Sequence, residues 1–272
     1  MNGLIRVFPR RTTATPIDDL AFIGNPPMFW PEADEVRVSV AFSWDRAEGE
    51  RLAAAWTATG LPVSIGGPAY DAPGEEFVPG RYLKPGYTIT SRGCPHHCWF
   101  CAVPKREGGL RELAIADGWI VQDDNLLACS ESHVRAVFAM LKRQSHRAEL
   151  RGLEAKHLQP WHVDLLADLQ PARMYFAYDT PDDLEPLQQA GAMLAEAGFG
   201  GSHNVCAYVL IGMPKDTQEA AEKRLREAWA AGFFPFAMLY RDDRGEADRE
   251  WRRFQKSWCR PPAVATMLAV PS

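Results

Sequence analysis

The sequence predicts an α/β fold with parallel strands, because from about residue 87 onward short β-branched or aromatic runs alternate with longer stretches of helical periodicity. The first 80 residues carry a separate β-α-β alternation, and the Gly- and Pro-dense stretch "GPAYDAPGEEFVPGRYLKPG" (67–86) lies between the two parts as a connector. Domains are expected at 1–80, a small Rossmann-like α/β segment, and at 81–260, a set of βα units, followed by a C-terminal tail at 261–272.

Element by element, "VRVSVAF" (36–42) alternates Val36, Val38, Val40 and Phe42 with polar partners, the period of a half-buried strand. A helix follows around "GERLAAAWTATG", then a strand at "PVSIGG" (62–67). The later strands are expected at "YTITS" (87–91), "WIVQ" (119–122), "ELRGLE" (149–154), "RMYFAY" (173–178), "NVCAYVLI" (204–211) and "FPFAMLY" (234–240).

The helices between them are punctuated. Ser130 caps a helix whose Val134, Val137, Phe138 and Leu141 fall on one face. Thr180, with Pro181 and Asp183, opens the next but one, and Gly198 closes it in the left-handed position after "LEPLQQAGAMLAEAG". Asp216 with Glu219 reads as a capping-box start and Gly232 as the end of that helix. Only "VPKREGGLREL" has no clear period. Six βα units with right-handed crossovers predict a partial (βα)6 TIM-like barrel, with an open sheet as the alternative.

Composition sets limits on function. Hydrophobic residues at 46% and charged residues at 24% suit a folded chain with a sizeable core. A formal net charge of -5 without a basic stripe gives no electrostatic basis for strong nonspecific nucleic-acid binding. No apolar targeting segment or membrane-length run occurs, so a cytoplasmic protein without membrane contact is expected. Three of the six cysteines are scattered, which is a poor disulfide framework. Cys206 and Cys129 read as core thiols, and Trp251 with Trp258 as one packing face of a helix solvated by Arg249, Arg252, Arg253 and Lys256.

The other three cysteines carry the chemistry. "GCPHHCWFC" (93–101) holds Cys94, Cys98 and Cys101 immediately after an expected strand. In a parallel αβ barrel the loops after the strands converge on one mouth. Asp123, Asp124 and Asn125 follow the second strand there, Glu154 ends the third, Asp179 follows the fourth, "GMPKD" (212–216) the fifth, and Arg241 and Asp242 the sixth. Each residue alone reads more readily as a solvent-exposed turn residue or a cap than as a ligand contact; their gathering at one mouth is what points to a site. Thiolates are costly to gather unless a positive centre holds them. A structural zinc site needs a fourth ligand, from His96, His97 or Cys129, and would make the chain a zinc-stabilised binding or scaffold protein. An iron-sulfur cube on three cysteines leaves one iron open to substrate or cofactor.

The C-x3-C-x2-C loop, with Phe100 before the last cysteine, resembles the radical SAM superfamily over roughly residues 85–242. The resemblance implies an enzyme in which Cys94, Cys98 and Cys101 ligate a [4Fe-4S] cluster. S-adenosylmethionine (SAM) on the open iron is then cleaved reductively to a 5′-deoxyadenosyl radical, which abstracts hydrogen from a substrate the sequence does not name. It also implies an external one-electron reductant such as flavodoxin or ferredoxin. Phe100 matches the position that packs near adenine. Asp124 and Asn125 stand where the family's methionine-amine motif lies, although "QDDNLLACS" departs from that motif. Glu154, Asp179 and the Ile211–Gly212 step stand where the family contacts carboxylate, ribose and adenine. The first part of the chain resembles the modules that precede the barrel in members carrying cobalamin or a second cluster. It has no histidine before His96 to ligate cobalt and no cysteine before Cys94 to bind another cluster.

Overall fold

The computed structural model describes residues 3–71, 76–200, 203–242 and 244–269, so parts of the expected connector and tail, residues 72–75 and 270–272, lie outside the described residues. Contacts divide the chain into two compact units, Met1–Gly118 and Trp119–Ser272, whereas the sequence suggested a boundary at residue 80.

In the first unit four parallel strands, β1 (Leu4–Phe8), β2 (Ala21–Ile23), β3 (Glu35–Ser39) and β4 (Val63–Gly66), pair in the order β2-β1-β3-β4. Two of these, β1 and β2, were not expected from the sequence. The helix α1 (Arg46–Thr57) joins β3 to β4 and buries Leu52 and Trp56 against Ile5, Val7, Val36 and Val38. Trp56 anchors this core: its ring packs on Phe22 and Trp30, and its indole N–H donates to the carbonyl of Gly24 at 3.1 Å. On the opposite face Arg6 is buried, donates to the carbonyls of Gly80 and Arg81 at 3.2 Å each and pairs with Asp18, which fastens the end of the connector to the sheet.

The expected strand at 87–91 is not continuous. Its first two residues form β5 (Tyr87–Thr88), and the Thr88 hydroxyl donates to the carbonyl of Ala116 at 2.8 Å. After Thr90 the chain turns into β6 (Ser91–Arg92). The ambiguous segment supplies a short helix, α2 (Val103–Glu107), and β7 (Arg111–Glu112), which pairs antiparallel with β6.

The second unit follows the βα rhythm. Strands β8 (Ile120–Gln122), β9 (Glu149–Glu154), β10 (Arg173–Tyr178), β11 (Val205–Ile211) and β12 (Phe234–Leu239) pair in sequence order, and every pair is parallel. The helices α3 (Glu131–Lys142), α4 (Pro160–Leu169), α5 (Leu184–Leu194) and α6 (Gln218–Ala230) connect them. The strand order has no reversal of the doubly wound kind, an order in which right-handed crossovers, the general rule for such units, would put all four helices on one sheet face. In register across that face, Phe176 with Ala207 and Tyr178 with Val209 are fully buried, and the Tyr178 hydroxyl donates to Glu227 of α6 at 2.6 Å. The other face carries Tyr175 stacked on Tyr208 at 4.7 Å, with Phe236 edge-on to Tyr208.

The expected helix punctuation holds in three places. Ser130 accepts from the His133 amide, Thr180 and Asp183 form a reciprocal capping box, and Gly198 and Gly232 adopt left-handed φ of 90° and 91°. The fourth is a correction: Thr217, not Asp216, caps α6, accepting from the Ala220 amide at 3.2 Å.

Residues 261–272, expected as a tail, contain a helix, α8 (Pro261–Ala269), behind α7 (Arg249–Ser257). The turn after α7 also covers the edge of β12. The Ala237 backbone amide donates to the carbonyl of Trp258, and the Gln255 side-chain amide nitrogen donates to the Ala237 carbonyl. Trp258 is fully buried and Trp251 half-buried, while Arg249, Arg252, Arg253 and Lys256 are exposed as expected. Among the described residues no helix is long and apolar enough to cross a membrane.

Candidate functional site

In the first unit the cysteines occupy the loop between β6 and α2. Cys94 and Cys101 are half-buried and Cys98 is exposed. The Cys101 amide donates to the Cys98 carbonyl at 3.0 Å, a tight turn whose two central residues are Trp99 and Phe100. Their rings meet edge to face at 5.5 Å, with Trp99 68% exposed and Phe100 half-buried. The loop has a closed neck. Gly93 has φ +84°, and a Cβ there would lie 2.2 Å from the carbonyl oxygen of Gly109, so both the backbone conformation and the close approach require glycine. Among the described residues no three His, Cys, Asp or Glu side chains stand in an arrangement that could hold a metal ion. Three thiols on one short loop, two of them ending a single turn, are donors of the kind an iron-sulfur cluster takes.

In the second unit the parallel register brings the other expected residues to the carboxyl ends of the strands. Asp123 and Asn125 are buried after β8 and Asp124 is half-buried. Glu154 ends β9, Asp179 follows β10, and Ile211 and Gly212 finish β11. Arg241 and Asp242, after β12, are exposed.

A bulge directs Glu154. Gly152 has φ +70° and shifts the register, so that Leu150 pairs with Met174 but Leu153 with Phe176. Leu150 and Leu153 both reach the buried face, and Glu154, opposite Ala177, points to the other. Burial, with the negative charge of Asp183 next and that of Asp179 adding least, pushes the Glu154 carboxyl up to about 7 against the pull of Lys156. Burial and Asp183 likewise push Asp179 up to about 6, although its carboxylate accepts the Leu210 amide from the neighbouring strand. Asp183 is held low in spite of its burial, because Lys156 pairs with it and the Thr180 amide and hydroxyl donate to it. At neutral pH this cluster holds one carboxyl near half-protonation beside one that is mostly ionised.

The turn after β11 is locked by a pair that sequence reading missed. Gly212 has φ +72° and donates its amide to Asp216 at 2.8 Å; Arg224 of α6 grips the same carboxylate at 2.8 and 3.2 Å and donates to the Leu210 carbonyl. Both side chains are almost fully buried. Eight residues separate them, a spacing with no short-range signature. Beside this turn lies a cavity of about 230 Å³ lined by Gly212, Met213, Leu239, Tyr240 and Trp251, with Asp242 at its rim. A Cβ on Gly212 would lie 2.9 Å from Leu239 and 3.2 Å from Trp251, so a side chain there would intrude on that wall.

No protein-family model matches the chain, and the search of curated proteins gives no match.

Proposed function

We propose that the chain is a radical SAM enzyme with a (βα)6 partial barrel, acting on a substrate still to be identified. The observation that carries this reading is the loop of Cys94, Cys98 and Cys101, spaced by three and two residues behind a glycine neck. The consecutive parallel order of β8 to β12 agrees with part of such a barrel.

Cys94, Cys98 and Cys101 would hold the [4Fe-4S] cluster, and the cluster with SAM supplies one-electron reduction of a sulfonium and hydrogen abstraction from substrate. Phe100, half-buried beside Trp99, offers an apolar ring next to the ligands. Glu154, near half-protonation at pH 7, can donate a hydrogen bond to a carboxylate or accept one from an ammonium or hydroxyl. Asp179, mostly ionised there, accepts from hydroxyl groups. Gly212 presents bare backbone to the cavity, and Asp216 with Arg224 keeps that backbone from moving. Asp124 and Asn125 supply polar groups at the end of β8 for an amine.

The test is chemical. Anaerobically purified chain given SAM and dithionite is expected to release 5′-deoxyadenosine, and Cys98→Ala to release none while its circular dichroism matches wild type. Release by the variant at the wild-type rate would overturn the assignment of the ligands.

A further inference from the structure

The neck of the cysteine loop is held by more than its glycines. Glu107, at the end of α2, has a side chain only 1% exposed and faces three guanidinium groups. Arg111 of β7 binds one carboxylate oxygen at 2.9 Å; Arg106 binds the other at 3.0 Å, and Arg92 of β6 lies 3.5 Å from it. Arg92 precedes the first cysteine by two residues, and Arg106 and Arg111 follow the last, so one buried carboxylate ties the entry of the loop to its exit. The same ends are joined by the β6–β7 pairing, by the Leu113 amide donating to the Thr90 carbonyl at 2.8 Å, and by the approach of Gly93 to Gly109.

A buried carboxylate needs cations or hydrogen-bond donors to offset its lost hydration. Here cations meet both oxygens of Glu107 at the base of the cysteine loop.

We propose that Glu107 is the positioning residue of the cysteine loop: gripped by Arg92, Arg106 and Arg111, it fixes the neck from which Cys94, Cys98 and Cys101 are presented to a metal centre. The inference rests on the reading of those cysteines as ligands, and its test has a readout that does not. Glu107→Gln keeps the shape and removes the charge, Glu107→Asp keeps the charge, and Arg111→Ala removes the most exposed of the three cations. In the metal-free full-length chain, Glu107→Gln should raise the rate of iodoacetamide alkylation at half-buried Cys94 and Cys101 by about tenfold as the neck opens. Glu107→Asp should restore most of the protection, and Arg111→Ala should give an intermediate rise. After anaerobic loading with ferrous iron and sulfide, Glu107→Gln should retain less than about half the iron of wild type and show a broadened spectrum in the reduced state. Should Glu107→Gln fail to fold, Arg111→Ala carries the comparison. Unchanged alkylation in the folded variants overturns the proposal. Wild type that takes up no iron would instead overturn the radical SAM reading, while the alkylation rates still decide whether Glu107 holds the neck.

Discussion

Glu154 shows how one residue's surroundings set its chemistry. Its carboxyl is raised from 4.5 to about 7 because the folded chain penalises its charge, so its contribution to stability is greatest below the unfolded value and is lost as pH rises through the folded one. Glu154→Gln removes a group that is neutral in both states at pH 4 but charged at a cost at pH 8. The variant should therefore match wild type near pH 4 and exceed it by about 1 to 3 kcal/mol at pH 8, with the gap opening between pH 4.5 and 7. Urea denaturation across that range measures it, and a gap that does not change with pH would contradict the assigned surroundings. The sequence marked Glu154 and Asp179 by their place after strands, and the structure puts both there. It could not mark Asp183 and Lys156 as their electrostatic partners, nor Arg224 as the partner of Asp216, because those pairings form only after separate elements have packed.

Among the elements, the parallel strands of the second unit were legible, whereas β1, β2, β6 and β7 were not. The strands β9 and β10 have the bounds their residues suggested. The expected strand at 87–91 broke because Ser91 and Arg92 pair with Arg111 and Glu112, and two-residue strands carry no periodicity to read. In β1, Ile5, Val7 and Phe8 are buried while Arg6 is also buried through its own partners, so the alternation that reveals a half-solvated strand is absent. The bulge in β9 is the element-scale feature with the clearest consequence. A Cβ on Gly152 would lie 1.9 Å from the Asp123 carbonyl oxygen, at a φ that side chains rarely adopt. Gly152→Ala should cost about 2 to 4 kcal/mol in chemical denaturation, through strain and overpacking together. A cost below about 0.5 kcal/mol would mean that the bulge is not needed to orient Glu154.

At the scale of the whole molecule, two parallel α/β units meet different needs. The first carries a four-stranded sheet and, close to its end in sequence, the cysteine loop with its arginine-bound neck; the second carries five strands whose carboxyl ends gather carboxylates, a bare glycine turn and a cavity. The βα rhythm made the second unit readable, and by contacts the two units divide after Gly118. The account as a whole depends on the three thiols forming one iron site. Metal and sulfide analysis of anaerobically purified wild-type chain beside Cys98→Ala tests this most directly. The account predicts about four irons and four sulfides per chain in wild type and almost none in the variant; a colourless wild-type protein holding one zinc per chain would contradict it.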